Sequence, residues 1–390
     1  MFTLLTSLGL AILPFFVWPG FDTREPKLFL ALVFSLILGL YVIYRGLLKP
    51  YKNIWFILFL LYIPLNYLLT PKLPFSLFDL PMPTFWVVQA YLVILIFFLA
   101  HISINSVQFT QKGKIIILKV MVWTGTIMSF YALSQSLGFD QYWINKYGQD
   151  VSRVAGTMGN RVFLTPFLAM LVPLALYLKK YIQAIFLIIV VLLCQSMVAI
   201  GALVISLLFL LATKGKKFAV LAVSIFIAIS LIFSIGYVKS PKVKSLMANH
   251  YRFKIWETII KDIKEPKEIS KGIKQQFSLT GFGLGSFRYI FHIEHKNIIP
   301  GEKLVEAHNE YAQLGYDTGI IGLGLFLAGL TFLIKQFFPL DLLNRHLLAS
   351  LICILICAGG IFCLQNGAII FYILTIIGLV NKRGANECQV

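Results

Sequence analysis

The chain has 390 residues, of which 59% are hydrophobic and only 13% are charged, and its mean hydropathy is +0.85. A soluble domain carries about 25% charged residues, so this composition excludes an ordinary soluble protein. Long uncharged runs recur from end to end and indicate an all-α polytopic membrane protein. The formal net charge of +18 is concentrated in short connectors, which is typical of cytoplasmic loops, and we expect no nucleic-acid partner.

The apolar runs predict about twelve transmembrane helices with both termini inside, because six basic connectors then all lie on the cytoplasmic side. The first run is interpreted as a retained helix, since no small-residue cleavage site follows it. Residues 182–212 and 347–380 are each interpreted as two short helices, with turns at "QSM" and "QNG". The predicted spans are residues 3–18, 28–44, 54–70, 85–104, 115–137, 162–178, 182–196, 198–212, 218–237, 318–334, 347–364 and 367–380.

These spans predict three parts of the chain. Residues 1–237 would hold the first nine helices and their short loops. Residues 238–317 would form a large external loop containing short helices. Residues 318–390 would hold the last three helices and a short cytoplasmic tail. The cysteines within apolar runs are interpreted as small buried hydrophobes rather than metal ligands; they are Cys194, Cys353, Cys357 and Cys363.

The external connector 139–161 is aromatic and rich in turn residues, and it carries Arg153 and Arg161 beside "AGTMGN". Arginines at a membrane edge are costly to place and are often functional. Residues 238–307 hold 13 Lys or Arg against 7 Asp or Glu, an excess of six. A solvated surface is one explanation for this basic loop; an anionic partner such as a phosphate or an acidic glycolipid is the other, and the sequence favours the second modestly.

The segment 249–266, "NHYRFKIWETIIKDIKEP", predicts an amphipathic helix at the membrane interface, with Asn249 as N-cap and Trp256 as an anchor. Arg252 in its first turn is predicted either to complete a phosphate site or to reach lipid headgroups. One helical face of the segment is apolar and consists of Phe253, Trp256, Ile260 and Ile263.

The run "TGFGLGSF" places glycines at 281, 283 and 285. Its spacing differs from a nucleotide-binding loop and no βαβ context exists, so a tight turn that lets the backbone approach a neighbour is the preferred interpretation. Arg288 follows as a second possible anion contact. His292 and His295 lack a third ligand at convincing spacing, so we expect no metal site.

Residues 307–324, "AHNEYAQLGYDTGIIGLG", bring a histidine, an asparagine and a carboxylate to the mouth of an apolar run. Such groups commonly cap a helix or meet headgroups. The alternative is that His308 is a general base near neutral pH and that Asn309 orients a sugar hydroxyl. Gly319 and Gly322 would let the following helix pack closely on a neighbour. Glu310 has no predicted role.

Four motifs together resemble the family of bacterial O-antigen ligases and O-antigen polymerases. They are H-N-x9-G-x-x-G from His308, R-x-x-x-W followed by G-x-G-x-G-x-F in "YRFKIW" and "TGFGLGSF", R-x-x-G-T-x-x-N from Arg153, and "FDTREPK" after the first helix. The likeness extends over nearly the whole chain and is most specific in residues 249–322. The chain departs from the family at Met197, where many relatives have an arginine, and at Arg161, where proline is more usual.

The resemblance implies a GT-C-like membrane fold in the bacterial inner membrane and a metal-independent, inverting glycosyltransferase that needs no cofactor and works on the periplasmic face. The donor would be a glycan linked to undecaprenyl diphosphate, and the acceptor of a ligase would be the lipid A–core. His308 would activate the acceptor hydroxyl. Arg252 and Arg153 would hold the leaving diphosphate. The substrate-binding residues would include Asn309, Arg161, Arg288, Trp256, Gly283 and Gly285.

Two alternatives stay open. A polymerase would share these residues but use a second lipid-linked glycan as acceptor. A polytopic flippase or transporter would also explain twelve helices, and it predicts ionisable or helix-breaking groups near the middle of the membrane. Pro166 and Pro173 are such groups, but the spans are nearly free of charge. A transporter is therefore the less favoured interpretation.

Overall fold

The computed structural model of the chain describes residues 1–17, 24–50, 52–69, 81–140, 154–239, 251–264, 267–270, 273–275, 279–291 and 306–381. This part of the chain is almost entirely helical. Its α-helices, in chain order, are α1 Phe2–Ile12, α2 Arg24–Tyr44, α3 Ile54–Leu69, α4 Pro81–Ser106, α5 Gln111–Ser136, α6 Arg161–Tyr177, α7 Tyr181–Leu193, α8 Met197–Ala212, α9 Lys216–Lys239, α10 Tyr251–Lys264, α11 Glu310–Lys335, α12 Leu342–Ala358 and α13 Gly367–Gly378.

A helix lies at each of the twelve predicted spans, and both predicted divisions of the longer runs are confirmed. Helix α7 ends at Leu193 and α8 begins at Met197, so the "QSM" turn separates them. Helices α12 and α13 are separated by residues 359–366, which include a 3-10 turn at Cys363–Gln365. Three of the helices, α2, α5 and α11, are long and apolar enough to cross a membrane.

The core of the bundle is formed by α6 and α13, which are buried along most of their length. Helix α6 packs against α5, α7 and α12, and α13 packs against α2 and α4. Pro166 and Pro173 lie inside α6, yet the helix continues through both. The breaks at these prolines that a transporter would predict are therefore not present.

Two short strands form a pair that the sequence did not predict. Strand β1, Lys267–Ser270, pairs antiparallel with β2, Ile273–Gln275, and the register shifts between Glu268 and Ser270. The pair lies within the predicted external loop, shortly after α10.

Lys27 joins the first helices to the connector before α6. Its side chain is fully buried, and Nζ donates hydrogen bonds to the carbonyls of Phe16, at 2.7 Å, and Thr157, at 2.8 Å. A buried ammonium group needs such acceptors. The lysine of the "FDTREPK" segment therefore fixes the start of α2 against the residue that follows the 3-10 turn Leu13–Phe15, after α1, and against the 3-10 turn Gly156–Met158.

Candidate functional site

Helix α11 is broken at Gly319, where the polar first turns give way to the apolar run. The residue has φ 69° and ψ −172°, a combination that essentially only glycine adopts. The break removes the helical partners of three consecutive carbonyls, and each finds another donor. Tyr316 O accepts from Phe282 N, Asp317 O from Gly283 N, and Thr318 O from the Tyr62 hydroxyl on α3.

The two backbone donors, Phe282 N and Gly283 N, come from residues 279–287, which we call the glycine turn. Gly281, Gly283 and Gly285 all have positive φ. A Cβ at Gly281 would lie 2.4 Å from Gly319 N, and one at Gly319 would lie 2.2 Å from Leu279 O. The interpretation of this run as a tight turn in close backbone contact is therefore confirmed, and its neighbour is the break in α11. Gly322 is also tightly packed, since a Cβ there would lie 2.9 Å from the Tyr62 ring.

Asp317 closes this junction with its side chain. One carboxyl oxygen accepts from Phe287 N at 2.7 Å and Ser286 Oγ at 3.0 Å, and the other accepts from Gly285 N at 3.1 Å. The carboxyl group is nearly inaccessible to solvent, so these bonds replace its hydration. Asp317 therefore holds the glycine turn on α11.

His308 lies immediately before α11 in a left-handed backbone conformation, with φ 51°. This region is uncommon for residues other than glycine, and a residue stays in it only where its surroundings hold it. The imidazole packs edge-on to the Phe362 ring, with 4.9 Å between the ring centroids. Asn309 is the N-cap of α11, and its Oδ1 accepts from Ala312 N at 3.0 Å. The asparagine therefore has a structural role beside the predicted contact with sugar.

Next to His308 is a network of four side chains, Arg24, Arg288, Glu306 and Gln365, which we call the Glu306 network. Glu306 Oε1 lies 3.0 Å from Arg24 Nη1 and 2.6 Å from Arg288 Nη2, and Glu306 Oε2 accepts from Gln365 Nε2 at 2.7 Å. Arg288 also donates to the side chain of Gln365. These residues are far apart in sequence, so the network joins the start of α2, the turn Phe287–Phe291 and the segment before α13.

Residues 360–365 lie between α12 and α13 and contact many of the site's side chains. We call them the 360–365 segment. Gly360 O accepts from Arg252 Nη1 at 3.0 Å. The Phe362 ring contacts His308, Phe163 and the Arg24 guanidinium, whose carbon is 5.8 Å from the ring centroid. Leu364 N donates to Glu310 Oε1 at 3.0 Å. The sequence analysis considered this segment only as the turn between two helices.

A cavity of about 170 Å³ lies beside the Glu306 network and is lined by both polar and apolar residues. It adjoins a second cavity of about 120 Å³, since Phe59, Val93, Ile94, Phe326 and Leu364 line both, and the described residues that line this second cavity are all apolar. The polar residues that line the first cavity are Arg288, Glu310, Gln313, Asp317 and Gln365. The combined space suits a molecule with a polar head and an apolar tail.

Helix α10 packs on this site through a face other than the one predicted to lie at the membrane interface. Ile255 and Ile259 are buried in a cluster with Phe282 and Phe287, whereas Phe253, Ile260 and Ile263 are exposed. Trp256 is partly buried and its Nε1 donates to Ala307 O at 2.9 Å. The indole therefore binds the backbone next to His308. Its predicted role as a membrane anchor did not include this contact.

The predicted arginines occupy different environments. Arg252 is tied to Gly360 O, a contact that neither the phosphate nor the headgroup interpretation included. Arg288 belongs to the Glu306 network and lines the cavity. Arg161 is the first residue of α6, after the N-cap Asn160, and is partly exposed. Arg153, together with the histidines at 292 and 295, lies outside the described residues.

Sequence reasoning missed Arg24, Glu306, Gln313, Phe362 and Gln365. Arg24 stood inside the quoted segment "FDTREPK" and Gln313 inside "AHNEYAQLGYDTGIIGLG", whereas Glu306 lies one residue before the latter. No local signal shows that Arg24 and Glu306 meet. Among the described residues no group of three or more His, Cys, Asp or Glu side chains is placed to hold a metal ion, and the four cysteines there are free and buried. Comparison of the chain with models of known protein families and with curated proteins found no match.

Proposed function

We propose that this chain is a membrane glycosyltransferase that takes a glycan from undecaprenyl diphosphate and transfers it to the lipid A–core, as an O-antigen ligase does. The twelve helices would cross the bacterial inner membrane and the Glu306 network would face the periplasm. The resemblance of four motifs supports the reaction class. The observation that carries the proposal is the position of His308, which shares the Phe362 ring with Arg24, a member of the Glu306 network. Two other members of that network, Arg288 and Gln365, line a cavity that adjoins a second cavity lined by apolar residues.

In this reaction His308 takes the proton of the acceptor hydroxyl. The hydroxyl oxygen forms a bond to the anomeric carbon of the donor, while the bond from that carbon to the diphosphate oxygen breaks and the diphosphate leaves with the electron pair. Cationic side chains stabilise the charge that develops on the leaving group. Arg252, Arg153 and Arg161 are the cations that the resemblance suggests, and Arg288 lines the cavity itself.

The cavity supports a lipid-linked substrate. Arg288, Glu310, Gln313 and Gln365 provide the charged and amide groups that bind sugar hydroxyls or a phosphate, whereas the adjoining apolar cavity accepts hydrocarbon. A transporter of small polar solutes would have no need for the second, apolar part.

The replacement His308→Ala tests the assignment of the base. General-base catalysis contributes about 10²- to 10⁴-fold, so we expect transfer from a polyprenyl-diphosphate-linked glycan in reconstituted membranes to fall by at least the lower value. His346→Ala is the matched control, because His346 lies on α12 near a predicted cytoplasmic connector, where its ring contacts Leu342 O. Normal transfer by a folded His308→Ala variant would contradict the assignment.

A competition assay separates ligase from polymerase. The wild-type protein receives one donor and two acceptors, lipid A–core and a second lipid-linked glycan. A ligase extends only the lipid A–core, whereas a polymerase lengthens the lipid-linked glycan. Transfer to neither acceptor, by a protein that retains its fold, would count against a glycosyltransferase of this kind.

A further inference from the structure

We propose that Glu306 and Arg24 are positioning residues for His308: their ion pair holds the strained turn that carries the imidazole against Phe362. The inference rests on the proposed function, because it assigns a role to groups around the proposed base. Arg24 lies inside the "FDTREPK" segment, but the sequence analysis gave no role to it or to Glu306.

The first step of the argument is the backbone of residues 306–309. His308 has a positive φ, a conformation that strains the backbone of a residue other than glycine. Ala307 is fixed on both sides, since its N–H donates to Gln313 Oε1 at 3.1 Å and its carbonyl accepts from Trp256 Nε1 at 2.9 Å. Asn309 is fixed as the N-cap of α11. Glu306, at the start of the turn, is attached through its side chain.

The second step is the strength of that attachment. The Glu306 side chain is 5% exposed, and its partners Arg24 and Arg288 are 20% and 9% exposed. Ion pairs shielded from water in this way are far more sensitive to loss of one partner than surface pairs, because the remaining charge stays buried. Both carboxylate oxygens are occupied, one by the two arginines and the other by Gln365.

The third step connects this attachment to the imidazole. Arg24 contacts the Glu306 carboxylate and lies 5.8 Å from the centroid of the Phe362 ring, and His308 packs against the same ring. Removing the Arg24–Glu306 pair therefore removes one contact that holds the backbone beside the histidine and one that holds the aromatic ring on which the imidazole lies. A shift of about 1 Å in a reacting group can cost about 10²-fold in rate.

The experiment combines two measurements on Glu306→Gln and Arg24→Gln in the full-length protein. In the transfer assay we expect kcat to fall about 10- to 100-fold, with little change in KM for the lipid-linked donor. Without any donor, diethyl pyrocarbonate labels histidines, and mass spectrometry reads the rate at His308. We expect this rate to change in both variants, with His346 in the same molecules unchanged. Arg24→Lys, which keeps the charge, should restore part of kcat.

The control is Glu257→Gln. Glu257 is also a glutamate paired with a cation, Lys261 at 3.3 Å, but both side chains are more than 60% exposed. Pairs of this kind contribute little, so neither kcat nor His308 labelling should change.

The outcomes separate the positioning role from the enzymatic proposal. If the wild-type protein transfers no glycan but His308 labelling still changes in both variants, the glycosyltransferase proposal fails and the positioning role stands. If labelling at His308 stays at the wild-type rate, the positioning role is wrong, whatever the transfer assay gives. A rise in KM with unchanged kcat would also overturn it, since the pair would then bind substrate. Should Glu306→Gln fold poorly, the Arg24→Gln and Arg24→Lys pair decides by the same criteria.

Discussion

Two buried carboxyl groups, Asp317 and Glu306, lie close in sequence and are held in different ways. Asp317 accepts from two backbone N–H groups and one hydroxyl, all from residues 285–287 of the glycine turn. Glu306 is held by three long side chains from distant parts of the chain. Bonds to backbone groups fix the chain itself, whereas side-chain ion pairs can rearrange. Asp317 therefore holds the glycine turn on α11 while also lining the cavity, whereas Glu306 links side chains around His308 that come from three separate parts of the chain.

The largest effect that follows from this comparison is expected for Gly319→Ala. The backbone conformation alone costs about 1–3 kcal/mol for any other residue, and the added Cβ would lie 2.2 Å from Leu279 O. Neither backbone can move without breaking the bonds between α11 and the glycine turn. We expect little or no folded protein after purification, judged by thermal unfolding in detergent.

Gly324→Ala is the matched control for that variant. Gly324 is also in α11, but nothing lies within 4 Å of a Cβ placed there, and alanine favours a helix by about 1 kcal/mol over glycine. Its stability should be equal to or slightly above that of the wild type. If Gly319→Ala unfolded at the same temperature as Gly324→Ala, the close contact between the break in α11 and the glycine turn would not be needed for stability.

Asp317→Asn is expected to have an intermediate effect and separates the two carboxyl groups directly. The amide replaces one acceptor by a donor that faces the N–H of Gly285 or Phe287. Leaving such a buried donor unsatisfied costs about 1–3 kcal/mol, and we expect the free energy of unfolding to fall by that amount. Asp317 also lines the cavity, so glycan transfer per folded molecule should fall, but by less than in Glu306→Gln. If a stably folded Asp317→Asn variant lost as much transfer activity as Glu306→Gln, the two carboxyl groups would not differ in the way described.

The helical part of the fold could be predicted from the sequence because apolar runs and their flanking charges are local signals. The division of residues 182–212 at "QSM" was also predicted, because successive connectors must alternate between the two sides of the membrane. The break at Gly319 and the glycine turn were each recognised as places of close approach, but not as each other's neighbours. His308 was found through its motif. Glu306 and Arg24 were not, because 282 residues separate them and only the folded bundle brings them together.

The smallest effect is expected for Trp256→Phe. This variant tests whether the hydrogen bond to the backbone of Ala307 contributes less to the position of His308 than the Glu306 ion pairs do. Trp256→Phe keeps an aromatic ring on α10 but removes the N–H that donates to Ala307 O. One hydrogen bond of this kind contributes about 1 kcal/mol, so the free energy of unfolding should fall by about that much. Ala307 keeps its bond to Gln313, and the Glu306 network is untouched, so kcat should fall less than in Glu306→Gln. Ile260→Val, an exposed position on the same helix, is the control. A larger loss of kcat in Trp256→Phe than in Glu306→Gln would mean that α10, and not the ion pair, sets the position of the histidine.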